Sequence, residues 1–175
     1  MEKKFSDLMV DLETMSTNPT AAIISIAAVE FDIKTGETGR QFYRNVSLKS
    51  SMQNGLTIDG DTIEWWLKQS KEAISVLFDN QVGLIQALIN FNEFYAGYER
   101  VWANPCSFDF PILENAYRSN GSESPFSYKL RRDLKTFMDL TGTSSKDIPF
   151  KGVEHNALDD CLHQIKLTVV AYEKI

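Results

Sequence analysis

The sequence predicts an α/β domain on a mixed sheet: an antiparallel three-strand meander followed by alternating helices and strands. Three observations carry that prediction. Period-two alternation and Ile/Val-rich runs fill the first fifty residues. Helical spacing takes over after about residue 80, broken by one short strand. The 175 residues, 43% hydrophobic and 24% charged, suffice for one core but would be cramped as two. Residues 1–175 are therefore read as a single domain, with no repeat, low-complexity tract or linker.

Phe5 to Glu13 alternates, with Leu8, Val10 and Leu12 on one face and Asp7, Met9, Asp11 and Glu13 on the other, which makes a strand. Asn18-Pro19 marks a turn, and Ala22 to Asp32 reads as the second strand, closed by Lys34-Thr35-Gly36. Arg40 to Ser47 gives the third. A short helix is expected over Asp61 to Leu67, with Asp61 as N-cap and Glu64 as its capping-box partner. Gln81 to Tyr98 carries apolar residues at helical spacing, and Arg100 to Ala103 is a short strand. Helices follow over Phe110 to Ser119, stopped by Asn120-Gly121, over Arg131 to Leu140, and over Ala157 to Glu173.

Composition narrows the function. Eighteen basic against 24 acidic residues leave a net charge of −6, which argues against a broad basic surface for nucleic acid. An enzyme that brings divalent cations to a phosphate stays open, because the ions supply the positive charge. Two cysteines outside any CxxC pair suggest a reduced, cytoplasmic setting. The opening MEKKFSDLMV has no apolar run of signal-peptide length, and no stretch is long enough to span a membrane.

The acids then have to be located. Asp11 and Glu13 are two residues apart on a strand, so their carboxylates share a face and repel unless a cation joins them. Mg²⁺ suits such oxygen donors; a solvent-facing strand end is the alternative. Asp109, in the segment Asn104 to Pro111, follows a strand and opens a helix, where it can serve as an N-cap, as a site residue at a strand's C-terminal end, or as both. His155 and Asp160 are five residues apart, about 140° on a full helix, so they cannot share a helix face. His155 is therefore placed on the preceding loop and Asp160 in the first turns of the last helix, with Asn156 as N-cap. His163, within that helix, is read as structural. Lys129, Arg131, Arg132 and Lys135 form a basic cluster that is either a solvated face or a guide for a phosphate backbone.

Asp-Leu-Glu-Thr at 11–14, Ser-Phe-Asp at 107–109 and His-Asn-Ala-Leu-Asp-Asp at 155–160 occur in that order over nearly the whole chain. Together they resemble the DnaQ-like 3′–5′ exonucleases of the DEDDh branch, whose fold is RNase H-like. The segments 15–32 and Thr62 to Trp66 are similar to the short group containing phage exonuclease A and a mycobacterial 3′–5′ exoribonuclease. All four acids and the histidine of that pattern are present.

The resemblance implies two divalent ions, Mg²⁺ or Mn²⁺, held by Asp11, Glu13, Asp109 and Asp160, with His155 as general base. It implies release of nucleoside 5′-monophosphates from the 3′ end of single-stranded DNA or RNA, or from a 3′ overhang. Two such ions would cancel four of the six excess negative charges. The same resemblance places Thr14 at the terminal 3′-OH, and Met15 and Phe108 against a base or ribose. One of Trp65 and Trp66, about 100° apart on a helix, is expected to line a groove while the other enters the core. A non-catalytic RNase H-like binding module and an endonuclease of the same fold are the competing functions. A phosphate-binding glycine loop is missing, which disfavours nucleotide phosphoryl transfer. Monomer and homodimer remain open.

Overall fold

The computed structural model describes residues 5–175. Five strands, β1 (Asp7–Thr14), β2 (Ile23–Phe31), β3 (Thr38–Asn45), β4 (Arg100–Ala103) and β5 (Arg131–Asp133), make one sheet in the order β3-β2-β1-β4-β5. The β1-β2-β3 meander is antiparallel, and β4 and β5 add in parallel. The expected mixed sheet is therefore present. Among the described residues seven α-helices surround it: α1 (Leu48–Gln53), α2 (Gly60–Trp66), α3 (Lys71–Val76), α4 (Leu84–Phe94), α5 (Cys106–Ser119), α6 (Leu134–Thr141) and α7 (Ala157–Tyr172).

β1 is central and buried along its whole length. Its alternation divides two cores. Leu8, Val10 and Leu12 pack with Leu88 and Phe91 of α4 and Phe110 of α5. Met9 faces the other way, with Cys161 and Ile165 of α7. Asp11 and Glu13 lie on that second face, so the solvent-facing alternative for them does not hold: the period-two pattern here separates two covered faces, as in layered α/β sheets.

Several boundaries differ from the sequence reading. Asp59, not Asp61, caps α2, accepting from the Thr62 N–H at 2.8 Å, so no Asp61–Glu64 box forms. Residues 131–133 are strand rather than helix; Asp133 then caps α6, which ends at Gly142 with φ 61°. α4 starts three residues later than expected, because Val82 forms a bridge to Val46. α5 starts at Cys106, a turn earlier than expected, with Pro105 at its cap and Pro111 inside it. The N–H that Pro111 lacks would have served the carbonyl of Ser107, an exposed residue in the first turn where water can take that role. The six-residue α1 and α3, capped by Ser47 and Ser70, escaped the sequence reading because they are too short to show a period.

The end of the sheet away from Asp11 and Glu13 holds acids matched internally. Asp7, fully buried, accepts from Arg100 and from Trp102 Nε1 at 2.9 Å. Glu30 accepts from Arg40 Nη2 at 2.7 Å and Tyr98 Oη at 2.6 Å. None of the helices among the described residues is long and apolar enough to cross a membrane.

Candidate active site

At the C-terminal end of β1 the sheet opens. β4 pairs with β1 only as far as Met9, so the β1 edge beyond it lacks a strand partner on that side. Asp109, in the first turn of α5, fills the gap: its Oδ1 accepts the Leu12 N–H at 3.0 Å. The capping role considered for Asp109 is thereby replaced, because its carboxylate turns to the neighbouring strand. Its second oxygen, Oδ2, is buried and has no hydrogen-bond partner. An unpaired buried carboxylate oxygen carries the full cost of desolvation unless a cation meets it.

The remaining acids converge there. Glu13, His155 and Asp160 each offer a ligand atom, and these atoms lie within 4.8 Å of one another. Asp160 is in the first turn of α7 and His155 on the loop before it, as expected. Asn156 caps α7, its side chain accepting from the N–H groups of Leu158 and Asp159. His155 adopts φ 66°, a left-handed conformation uncommon outside glycine. Asp159 holds this loop by accepting the Val153 N–H at 2.8 Å, with Gly152 at φ 117° close above it.

The electrostatics follow from burial without a partner cation. Burial first, then the charges of Asp109 and Asp160, holds the Asp11 carboxyl well above the usual carboxylate range. Glu13 is raised in the same way, by burial and then by Asp11, Asp160 and Asp109. Burial pushes Asp109 up to about 7, against the opposing Leu12 N–H. Asp160 rises to about 7, chiefly by burial. Burial lowers His155, so its imidazole is neutral at pH 7 and free to accept a proton. Four carboxyls that resist ionising together are an oxygen-donor set that suits a hard divalent cation.

A cleft of about 690 Å³ runs beside this cluster, lined by Glu13, Thr14, Trp65, Trp66 and Phe108 among others. Trp66 is 4% exposed and donates from Nε1 to the Thr14 carbonyl at 2.9 Å; Trp65 is 41% exposed. The Trp65 ring meets His155 edge-on, with centroids 4.7 Å apart. Met15 is not brought to the cleft: its side chain packs against the apolar clusters behind it, and its carbonyl accepts the Asp59 N–H. Of the basic cluster, Arg131 pairs with Glu114 and lies over the Phe110 ring at 5.4 Å, and Arg132 donates to the carbonyls of Lys129 and Arg131. His163 packs against Phe150, at 4.9 Å between ring centroids.

Two residues escaped the sequence reading. Gln164 donates from Nε2 to Asp11 Oδ1 at 2.7 Å. Its signal was its position four residues after Asp160, on the same helix face. Asp59 caps α2 and lines the cleft, and neither role has a signature beyond an Asp before a helix.

This sheet, with acids gathered at the open end of its central strand, has the RNase H-like fold, and the family match makes the chain a 3′–5′ exonuclease. The chain belongs to the family described as the 3′-5′ exoribonuclease Rv2179c-like domain, whose profile matches residues 6–172. It is also similar to the exodeoxyribonuclease of Enterobacteria phage T4, 29% identical over an alignment that covers 91% of this chain and 86% of the phage protein. Among solved structures it resembles the nuclease domain of 3′hExo, a DEDDh family member bound to rAMP, with TM-score 0.67, 13% identity, and coverage of 99% of this chain and 94% of that one. Cell-death related nuclease 4 (CRN-4) matches with TM-score 0.65 and 16% identity over 97% of this chain; the chain spans only 64% of that protein. Exonuclease I from Methylocaldum szegediense gives TM-score 0.67 and 14% identity, over 95% of this chain and 40% of that one.

Proposed function

We propose that this exonuclease domain, residues 1–175, hydrolyses single-stranded nucleic acid or 3′ overhangs to nucleoside 5′-monophosphates with two divalent ions, Mg²⁺ or Mn²⁺. One observation carries the reading: Glu13, His155 and Asp160 converge within 4.8 Å of one another, and the charge of Asp109, whose Oδ2 is buried without a partner, acts on Glu13. Asp11, Glu13, Asp109 and Asp160 are the ligand set. Divalent ions there would offset the mutual repulsion of the carboxylates and stabilise the charge that develops on the phosphodiester.

His155 acts as general base. Its imidazole is neutral at pH 7, and it reaches the cluster from a loop outside the carboxylates, so it can take the proton of the attacking water. Trp65 and Phe108 offer aromatic surface on which any base can stack, which suits a sequence-tolerant exonuclease. Thr14, on the cleft lining, is the position for the terminal 3′-OH. The cleft supplies little positive charge, so strand capture depends on the cations as well as on stacking.

The family description concerns RNA and the phage relative DNA, so the test uses both. Matched 5′-labelled single strands of RNA and DNA are incubated with Mg²⁺, Mn²⁺ or EDTA, beside Asp109→Ala and His155→Ala. A metal-dependent ladder shortening from the 3′ end and lost in both variants is expected, and the faster strand identifies the sugar. Internal cuts on a substrate blocked at its 3′ end would favour an endonuclease. Strand binding without hydrolysis by folded, metal-supplied protein would favour a binding module.

A further inference from the structure

Gln164 lies on α7 one turn beyond Asp160, and its side chain is almost wholly buried. Nε2 donates to Asp11 Oδ1 at 2.7 Å, while Oε1 is buried with no hydrogen-bond partner. An amide with an idle buried carbonyl is a poor choice for packing alone. Met or Leu fills a similar volume without desolvating a polar group. What the amide does that a hydrocarbon cannot is hold one oxygen of Asp11.

That hold matters because the terminal torsion of an aspartate is soft, and burial alone does not fix the plane of the carboxylate. Asp109 is fixed through its Oδ1 by the Leu12 N–H, and Asp11 is fixed through its Oδ1 by Gln164. In each case one oxygen is tied to a protein donor. We propose that Gln164 is a positioning residue of the cation site: by holding Asp11 in one orientation it sets the affinity for the divalent ion, without touching substrate. This rests on the cation-binding reading given above. Outer hydrogen-bond partners of ligating side chains commonly control metal affinity in this way.

The test measures cation uptake in the absence of nucleic acid. Mn²⁺ is titrated calorimetrically into wild type, Gln164→Met, Gln164→Leu and, as a ligand-loss control, Asp11→Asn. The expected result is a dissociation constant for Mn²⁺ raised about 10- to 100-fold in both Gln164 variants. Their circular dichroism and melting in EDTA should match wild type. The Mg²⁺ concentration giving half-maximal cleavage should rise by a similar factor, with KM for the strand unchanged at saturating metal. A folded Gln164→Met protein that takes up Mn²⁺ as tightly as wild type overturns the proposal. Failure of both apolar variants to fold also overturns it, since Gln164 would then be needed for the core. If wild type itself takes up no Mn²⁺, the cation-binding reading falls, an outcome distinct from either of these.

Discussion

Trp65 and Trp66 are chain neighbours with different surroundings, and the helix rotation that parts them is visible in sequence alone. The structure adds which is which: Trp66 is pinned to the Thr14 carbonyl, and Trp65 stands at the cleft wall against His155. Trp65→Ala should weaken strand binding by about 1–3 kcal/mol, the worth of one stacked base, as read by fluorescence anisotropy with a labelled strand. His155→Ala should lower kcat by about 10²- to 10⁴-fold while strand binding persists, as read by single-turnover cleavage beside a binding assay. Asp109→Asn separates fold from chemistry, because the amide oxygen can still accept the Leu12 N–H. Cleavage should be lost, yet in EDTA at pH 8 the variant should melt higher than wild type, since a buried carboxylate with an orphaned oxygen has become neutral.

At the scale of elements, the loop before α7 is braced from one side by Asp159, whose carboxyl takes the Val153 N–H. A Cβ added at Gly152 would meet that carboxyl at 2.5 Å, on a backbone whose φ of 117° already disfavours any side chain. Gly152→Ala should therefore shift the loop that carries His155: kcat should fall at least about tenfold with a smaller change in KM, and stability by about 1 kcal/mol or more, measured by kinetics and urea melts. The strands of the meander and the capped start of α7 were legible because their signals are local: alternation, and an Asn before a helix. The start of α5 was not. Cys106 to Asp109 look like a cap in sequence, and only the early departure of β4 explains why Asp109 turns to Leu12 instead. Likewise Arg131 to Asp133 has the composition of a helix edge, yet β4 recruits it as a strand, which is a tertiary decision.

Across the whole molecule, the four raised carboxyls make stability depend on pH, and on the proposed reading it should depend on cations too. In the folded chain Asp109 and Asp160 titrate near 7, above their ordinary 3.8. Below about pH 4 both states hold these protons and no stability is lost. As pH rises from about 4 towards 7 the unfolded chain releases protons that the folded chain keeps, so stability falls across that window and stays lower above it. His155 and His163, held below their ordinary value of 6.5 by burial, oppose this as pH rises towards 6.5, but the carboxyls outnumber them. In EDTA the melting temperature should therefore drop from pH 5 to pH 8. Mg²⁺ should restore it at pH 8, and Asp109→Asn should flatten the slope, all by scanning calorimetry. The ordered set of acids and the histidine was readable because chain order survives in sequence. The grip of Gln164 on Asp11 was not, because a glutamine inside a helix announces no partner.

The sheet buries acids at both ends but treats them differently. At one end Arg100 and Arg40 belong to the chain, so Asp7 and Glu30 are neutralised from the moment the protein folds. At the other end no lysine or arginine among the described residues is hydrogen-bonded to the cluster, and on the proposed reading its neutralisation arrives with the cations. The first end is therefore a permanent lock and the second a socket. On the proposed reading, withdrawing the divalent cation would disarm the nuclease while leaving the lock closed.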